Sequence, residues 1–203
     1  MPVAITELPA IPPPPQPPRK KWTREECQAL EAAGLLDGPS FELVDGELIN
    51  TMGKNRPHSN GTYRLYRRLV EIFGWDYVQQ EASIDVAGED NSTNEPEPDL
   101  IVLSRRIDEL EVINPGPADL RLVVEVADTS LSYDRTVKAR LYARAGIADY
   151  WVMDLNGRQL IVHREPSQGR YLSVTAYSEK ERVAPLAAPD SYCQISTLLS
   201  QGS

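Results

Sequence analysis

Residues 95–103 read EPEPDLIVL and residues 120–128 read LRLVVEVAD, two short apolar runs that each carry a carboxylate; residues 134–146, DRTVKARLYARAG, then bring an amine. Asp99 stands at the mouth of the first run and Glu125 lies inside the second. An ionised group taken out of water needs a partner, and the two cheapest are a side-chain cation or a bound metal ion. Side chains alternate faces along a strand, so Val123, Glu125 and Ala127 share one face while Leu122, Val124 and Val126 share the other. The third stretch has the spacing of a helix closed by Gly146, with Asp134, Lys138, Tyr142 and Ala145 along one side. Two strand carboxylates, the main-chain carbonyl of Val126 beside the second and a nearby lysine make a donor set suited to a hard cation. Magnesium keeps several waters and is held by only one or two protein carboxylates.

The ordered set Pro98-Asp99, Glu125-Val126, Asp134, Lys138, Tyr142, Ala143, Gly146 and the run DYWVMD at Asp149 to Asp154 resembles the PD-(D/E)XK nuclease superfamily. Within it, the chain is similar to the bacterial Uma-type branch of restriction-endonuclease-like proteins. FELVDGELI from Phe41 and His58 at a helix start add to the likeness, which covers roughly residues 22–162. The superfamily's usual lysine lies two residues beyond the glutamate, where this chain has Ala127. The resemblance therefore implies that Lys138 supplies the amine from the helix. Where the branch tends to have serine and proline after the glutamate strand, this chain has Asp128-Thr129-Ser130; Asp128 reads as a turn residue, with a further ligand as the alternative.

The resemblance implies an α+β fold with a restriction-endonuclease-like core, a mixed β-sheet flanked by helices and additional β-hairpins. It implies a magnesium-dependent endonuclease, with manganese as a substitute, that hydrolyses phosphodiester bonds in DNA. Asp99, Glu125, Lys138 and His58 are the candidate catalytic residues. Asp99, Glu125 and the Val126 carbonyl are the candidate metal ligands, and Glu47, Asp134 and Tyr142 are candidate supporting groups. DNA is the expected substrate and a homodimer the expected assembly. The rival reading is a non-catalytic, acidic interaction module on the same fold, in which Lys138 and neighbouring arginines merely neutralise Asp99 and Glu125. A β-rich protein with a closed apolar cavity for a small ligand is a weaker third reading.

The 203 residues, 41% apolar and 25% charged, have an ordinary globular composition, and one domain over residues 21–203 is expected. A proline-rich arm over residues 1–20 precedes it. Two cysteines, Cys27 and Cys193, form neither a disulfide scaffold nor a metal-ligand spacing, and no apolar run approaches membrane-spanning length, so a cytoplasmic protein without a membrane partner is expected. The net charge of −9 opposes nucleic-acid binding, which depends on Lys and Arg displacing phosphate counterions. Any DNA contact then falls to local patches: Arg64, Arg67 and Arg68; Arg105 and Arg106; or Arg135, Arg140 and Arg144, each of which also reads simply as a solvated face.

Thr23 followed by Glu26 is a capping box that opens a helix running toward Gly34. Asp45-Gly46 is a two-residue type I′ turn between FELV and ELI. A helical stripe covers 58–73, strand material runs over 77–86, a hairpin is centred on Asn156-Gly157, a strand covers 171–178, and a helical turn lies near 196–200. His163 reads as structural.

Overall fold

The structure is a computed structural model that describes residues 18–36, 41–51, 55–110 and 113–199. Nearly all of the proline-rich arm falls outside these. The described part is organised by one six-stranded mixed sheet with strand order β3-β4-β5-β6-β7-β8. Its members are β3 (Val78–Gln80), β4 (Leu100–Leu103), β5 (Leu120–Ala127), β6 (Asp149–Asp154), β7 (Gln159–Ser167) and β8 (Arg170–Ser178). Every neighbouring pair is antiparallel except the central β5 and β6. Parallel neighbours need a crossover. Here a helix over residues 131–144 provides it, built from α3 (Leu131–Tyr133), a π-helical segment (Asp134–Lys138) and α4 (Ala139–Arg144).

Both faces of the sheet are covered, so every residue of β4 to β6 except Arg121 is buried and most are apolar. On one face Val123, Ala127, Tyr150 and Val152 pack with Leu141, Tyr142 and Ala143 of the crossover helix. On the other, Leu122, Val124, Val126 and Trp151 pack with Leu65 and Leu69 of α2 (Arg56–Phe73) and with Ile195 and Leu198 of α5 (Ile195–Leu198). The alternation expected along β5 therefore holds, and it turns Glu125 toward the crossover helix. Gly61 lets α2 come close to the sheet, because a Cβ there would stand 3.0 Å from the Leu155 side chain and 3.3 Å from that of Val126.

Smaller elements follow their local signals. Thr23 and Glu26 form the capping box of α1 (Arg24–Ala32). β1 (Phe41–Val44) and β2 (Glu47–Asn50) make the expected hairpin, with φ of +47° at Asp45 and +74° at Gly46, both positive as a type I′ turn requires. A second two-stranded ribbon pairs β9 (Arg182–Val183) with β10 (Cys193–Gln194).

Three expectations need correction. The strand expected over 77–86 is only Val78–Gln80, because Glu81 adopts φ +50° and the chain beyond it bonds to other loops, with Ile84 N–H reaching the Pro96 carbonyl and Asp85 N–H the Pro115 carbonyl. The hairpin at Asn156-Gly157 exists but turns through four residues, since Asn156 donates its side-chain amide to the Asp128 carbonyl and the positive φ falls at Arg158. The helix bearing Lys138 starts at Leu131, three residues before the expected Asp134, and includes a π turn in which Ala139 N–H reaches the Asp134 carbonyl. Among the described residues no helix is long and apolar enough to cross a membrane.

Gly46 joins the hairpin to the N-terminal segment, as Trp22 N–H bonds its carbonyl and a Cβ added to it would sit 3.0 Å from the Lys21 side chain. The substitution Gly46→Ala combines that close approach with a left-handed backbone that disfavours L side chains. It is expected to cost about 1–2 kcal/mol in urea denaturation; an unchanged midpoint would show that the turn relaxes at no cost.

Candidate active site

At one end of the sheet, where β4 begins and β5 ends, a cleft of about 240 Å³ opens between the β1–β2 hairpin, the start of α2 and the start of the crossover helix. Its walls include His58, Asp99, Glu125, Val126, Asp134 and Lys138. These residues are far apart in sequence, and strand register brings them together. Leu100 pairs with Val124, so β4 has not yet begun opposite Val126. The Asp99 carboxylate takes the vacant place and accepts the Val126 N–H at 2.7 Å. In extended backbone the N–H and C=O of one residue point to the same edge. The Val126 carbonyl thus opens on the Asp99 side.

Glu125 is 4% exposed and shares the cleft with a buried cation. Lys138 Nζ donates to Glu125 at 2.9 Å and lies 2.9 Å from a Glu42 carboxylate oxygen, while the Tyr142 hydroxyl donates to Glu125 at 3.0 Å. Glu42 also accepts the Glu97 N–H at 3.2 Å. The i, i+4 spacing of the helix puts Asp134, Lys138 and Tyr142 on the side facing Glu125, and all three are buried. Tyr142 lies beneath the cleft, whereas Asp134 is in its wall, accepting from the Ser130 hydroxyl at 2.5 Å. His58 closes the other side, with Nε2 3.1 Å from Asp99. It is placed by the cap of α2, where Asn55 accepts the His58 N–H through Oδ1 and donates through Nδ2 to Asp128 at 2.5 Å. Asp128 also accepts from Asn156 at 3.1 Å, so it ties the start of α2 and the β6–β7 loop to the end of β5.

Glu47 does not reach the cleft; it pairs with Lys21 at 3.2 Å, and Glu42 supplies the hairpin's buried carboxylate. Cross-strand register puts Val44, Glu47, Glu42 and Ile49 on one hairpin face. Glu47 is next to the turn, whereas Glu42 lies two residues farther along its strand, roughly 7 Å deeper at the rise of an extended chain. The signal for Glu42 was therefore present in FELV: it shares a strand face with Val44, which is 1% exposed.

Among the described residues the charge balance is lopsided, with four buried carboxylates, Glu42, Asp99, Glu125 and Asp134, around the ammonium of Lys138. Burial pushes the Glu125 carboxyl well above the usual carboxylate range, and the negative charges of Asp134, Asp99 and Glu42 push it further, against the pull of Lys138. Burial likewise raises Asp134 to about 6, opposed by Lys138 and the Ser130 hydrogen bond. Lys138 is held protonated, because its burial is outweighed by Glu125, Glu42 and Asp134.

An added divalent cation would relieve this excess charge, and the oxygen donors Asp99, Glu125 and the Val126 carbonyl are of the type a hard ion takes. Among the described residues no three His, Cys, Asp or Glu side chains are gathered as a ligand cluster. Magnesium takes one or two carboxylates and completes its shell with water, so a site for it would rest on Asp99, Glu125 and the Val126 carbonyl.

The raised Asp134 carboxyl has a consequence for stability. Between its ordinary value of 3.8 and about 6, the folded protein binds more protons than the unfolded chain, so stability falls as pH rises through that window and the loss is complete above it. In EDTA, Asp134→Asn is expected to gain up to about 3 kcal/mol over wild type at pH 8, the equivalent of two pKa units, and to gain little near pH 4. Urea denaturation at the two pH values measures the difference; an equal effect at both would rule out the titration.

Comparison with known proteins agrees with this architecture. A crystal structure of "a putative nuclease belonging to DUF820" from Anabaena variabilis superposes with a TM-score of 0.66 and 17% sequence identity, over 87% of this chain and 96% of that one. At that identity the likeness shows the fold. No curated protein matches the chain. The family model for Uma2, described as "Putative restriction endonuclease", matches residues 24–196, and with most of its length covered the chain belongs to that family.

Proposed function

We propose that this protein is a magnesium-dependent endonuclease that hydrolyses phosphodiester bonds in DNA. The observation that carries the reading is the convergence of Asp99, Glu125, Lys138 and His58 on one open cleft from four separate elements. In this reading Asp99, Glu125 and the Val126 carbonyl hold the metal. Bound magnesium supplies a Lewis acid that stabilises the extra negative charge of phosphoryl transfer and acidifies a bound water. Lys138 stands against Glu125, where its fixed charge offsets negative charge that builds on the phosphate and orients water by hydrogen bonding. Tyr142 holds Glu125 in place from below, and His58 fixes the Asp99 oxygen that also accepts the Val126 N–H. Manganese, with similar oxygen affinity, substitutes for magnesium.

One observation favours the second reading, a non-catalytic acidic module. Lys138 is only 4% exposed and is shared by Glu42 and Glu125, as a structural counter-ion would be. The two readings separate through variants that keep shape.

Glu125→Gln and Asp99→Asn are expected to leave the melting temperature near or above that of wild type, since each removes one of several crowded carboxylates. Both should lose metal binding in calorimetry and cut plasmid cleavage about 100-fold or more. Wild-type protein that cleaves no DNA with magnesium or manganese, or a Glu125→Gln variant with unchanged metal affinity, would sink the enzyme.

Lys138→Ala strands Glu42 and Glu125 as buried carboxylates without their cation and is expected to cost about 3–5 kcal/mol. Adding Glu42→Gln to it should recover part of that loss, because the cost comes from unpaired charge. If the double variant regains stability but not cleavage, Lys138 serves the reaction; if it regains both, Lys138 is only a counter-ion.

A further inference from the structure

The chain carries a net charge of −9, yet from Arg56 to Val70 it has four arginines and neither Asp nor Glu. This stretch is most of α2, whose first turn holds no acidic residue. Arg56, Asn60, Tyr63, Arg64 and Arg67 recur at helical spacing along one side of α2, opposite the side that buries Leu65 and Leu69. The spacing and the lack of carboxylates set this face apart from the other basic groups of the protein.

Several of those other groups are committed, although Arg135 and Arg140 on the crossover helix have no ion pair among the described residues. Arg105 pairs with Asp119 at 2.8 Å, Arg106 with Asp76 at 2.9 Å, and Arg144 with Asp90 at 2.7 Å and Asp45 at 3.1 Å. Arg68 pairs with Glu71 at 3.1 Å and donates to the Tyr192 carbonyl at 2.8 Å. On α2, Arg56 and Arg64 have no ion pair among the described residues, Arg64 donating only to the Asn60 carbonyl at 3.3 Å, and Arg67, its side chain 63% exposed, reaches Glu71 only at 3.9 Å. An exposed aromatic ring belongs to the same face: Tyr63 is 58% exposed, with the Arg67 guanidinium 5.9 Å from its centroid.

We propose that this outer face of α2 binds the phosphate backbone of duplex DNA beside the cleft. The proposal rests on the nuclease reading of that cleft and adds the surface that holds the substrate. α2 begins at the cleft, because its cap residue Asn55 bonds Asp128 and its third residue, His58, bonds Asp99. From there to Arg67 the helix runs roughly 14 Å at 1.5 Å per residue. That length spans about four steps of one DNA strand at 3.4 Å each. His58 faces the sheet and the stripe faces away from it, so chemistry and backbone grip lie on different sides of one rigid helix. Three guanidinium groups, two exposed and that of Arg64 half-buried, pair with phosphate through a planar fork and overcome the repulsion of an acidic protein locally.

The test uses the full chain and a fluorescein-labelled DNA duplex, with calcium replacing magnesium to keep the duplex uncleaved. The variant Arg56→Gln/Arg64→Gln/Arg67→Gln removes the three charges of this face, and the control Arg121→Gln/Arg170→Gln/Arg182→Gln removes three exposed charges elsewhere. Anisotropy titrations at several salt concentrations are expected to show a Kd weakened about 10-fold or more for the α2 variant. The dependence of log Kd on log salt should fall by roughly 3, close to one for each phosphate no longer neutralised. Under magnesium, its KM for cleavage should rise while kcat stays near wild type, and the control and both melting temperatures should barely change. Wild-type cleavage with an α2 variant of unchanged Kd and salt slope would overturn this surface and leave the active site standing. A wild type that neither binds nor cleaves duplex DNA would overturn both, and tighter binding of single-stranded RNA than of the duplex would overturn the assignment of the ligand.

Discussion

Lys138 sits between Glu42 and Glu125 at 2.9 Å from each, and most of the architecture around the cleft serves to hold that cation against those carboxylates. Among the described residues one ammonium faces four buried carboxylates, and hydrogen bonds stabilise these further. Tyr142 donates to Glu125, Ser130 to Asp134, the Val126 and Glu97 amides to Asp99 and Glu42. A carboxylate that accepts such donors is cheaper to bury than a bare one. The raised Glu125 and Asp134 carboxyls record what remains unbalanced. That residue of negative charge is the physical basis for expecting a divalent cation here.

The sheet provides the precision. β5 and β6 lie parallel at its centre, and the crossover helix that their direction requires is the same helix that delivers Lys138. The register of β4 against β5 leaves an opening next to Val126 that Asp99 fills. Because these positions depend on backbone pairing rather than on flexible loops, the separation of Asp99 and Glu125 is set by the fold. Asp128 is a turn residue with a second task, since it joins the cap of α2 to the Asn156 loop through Asn55.

Distribution of charge matters more here than its sum. Most arginines that stand out in the sequence are spent on acidic neighbours, which fits the bland reading of those patches as solvated faces. The α2 stripe is less engaged, because Arg56 and Arg64 have no ion pair among the described residues and Arg67 reaches its one acidic neighbour, Glu71, only at 3.9 Å. An acidic protein can thus present a basic surface provided that one element excludes acidic residues, at a cost set by screening over about a Debye length.

The sequence by itself determined the kinds of elements and their faces. The apolar runs around Asp99 and Glu125 had to be buried strands, alternation had to turn Glu125 and Ala127 the same way, and helical spacing had to align Asp134, Lys138 and Tyr142. Local rules of this sort depend only on backbone geometry. The likeness to the family whose model matches residues 24–196 was legible for the same reason, as its residues keep their order in the chain. Tertiary structure alone decided that Glu42 rather than Glu47 enters the cleft, because the depth of a residue along a hairpin depends on where that hairpin docks. It alone decided that the strand after Tyr77 stops at Gln80 and that Asn156-Gly157 opens into a wider turn, since both segments bond to distant parts of the chain. It also decided which arginines are free, a question of partners up to 99 positions away in the case of Arg144 and Asp45. Local propensity has no access to such partners, whereas burial and pairing across the sheet settle them.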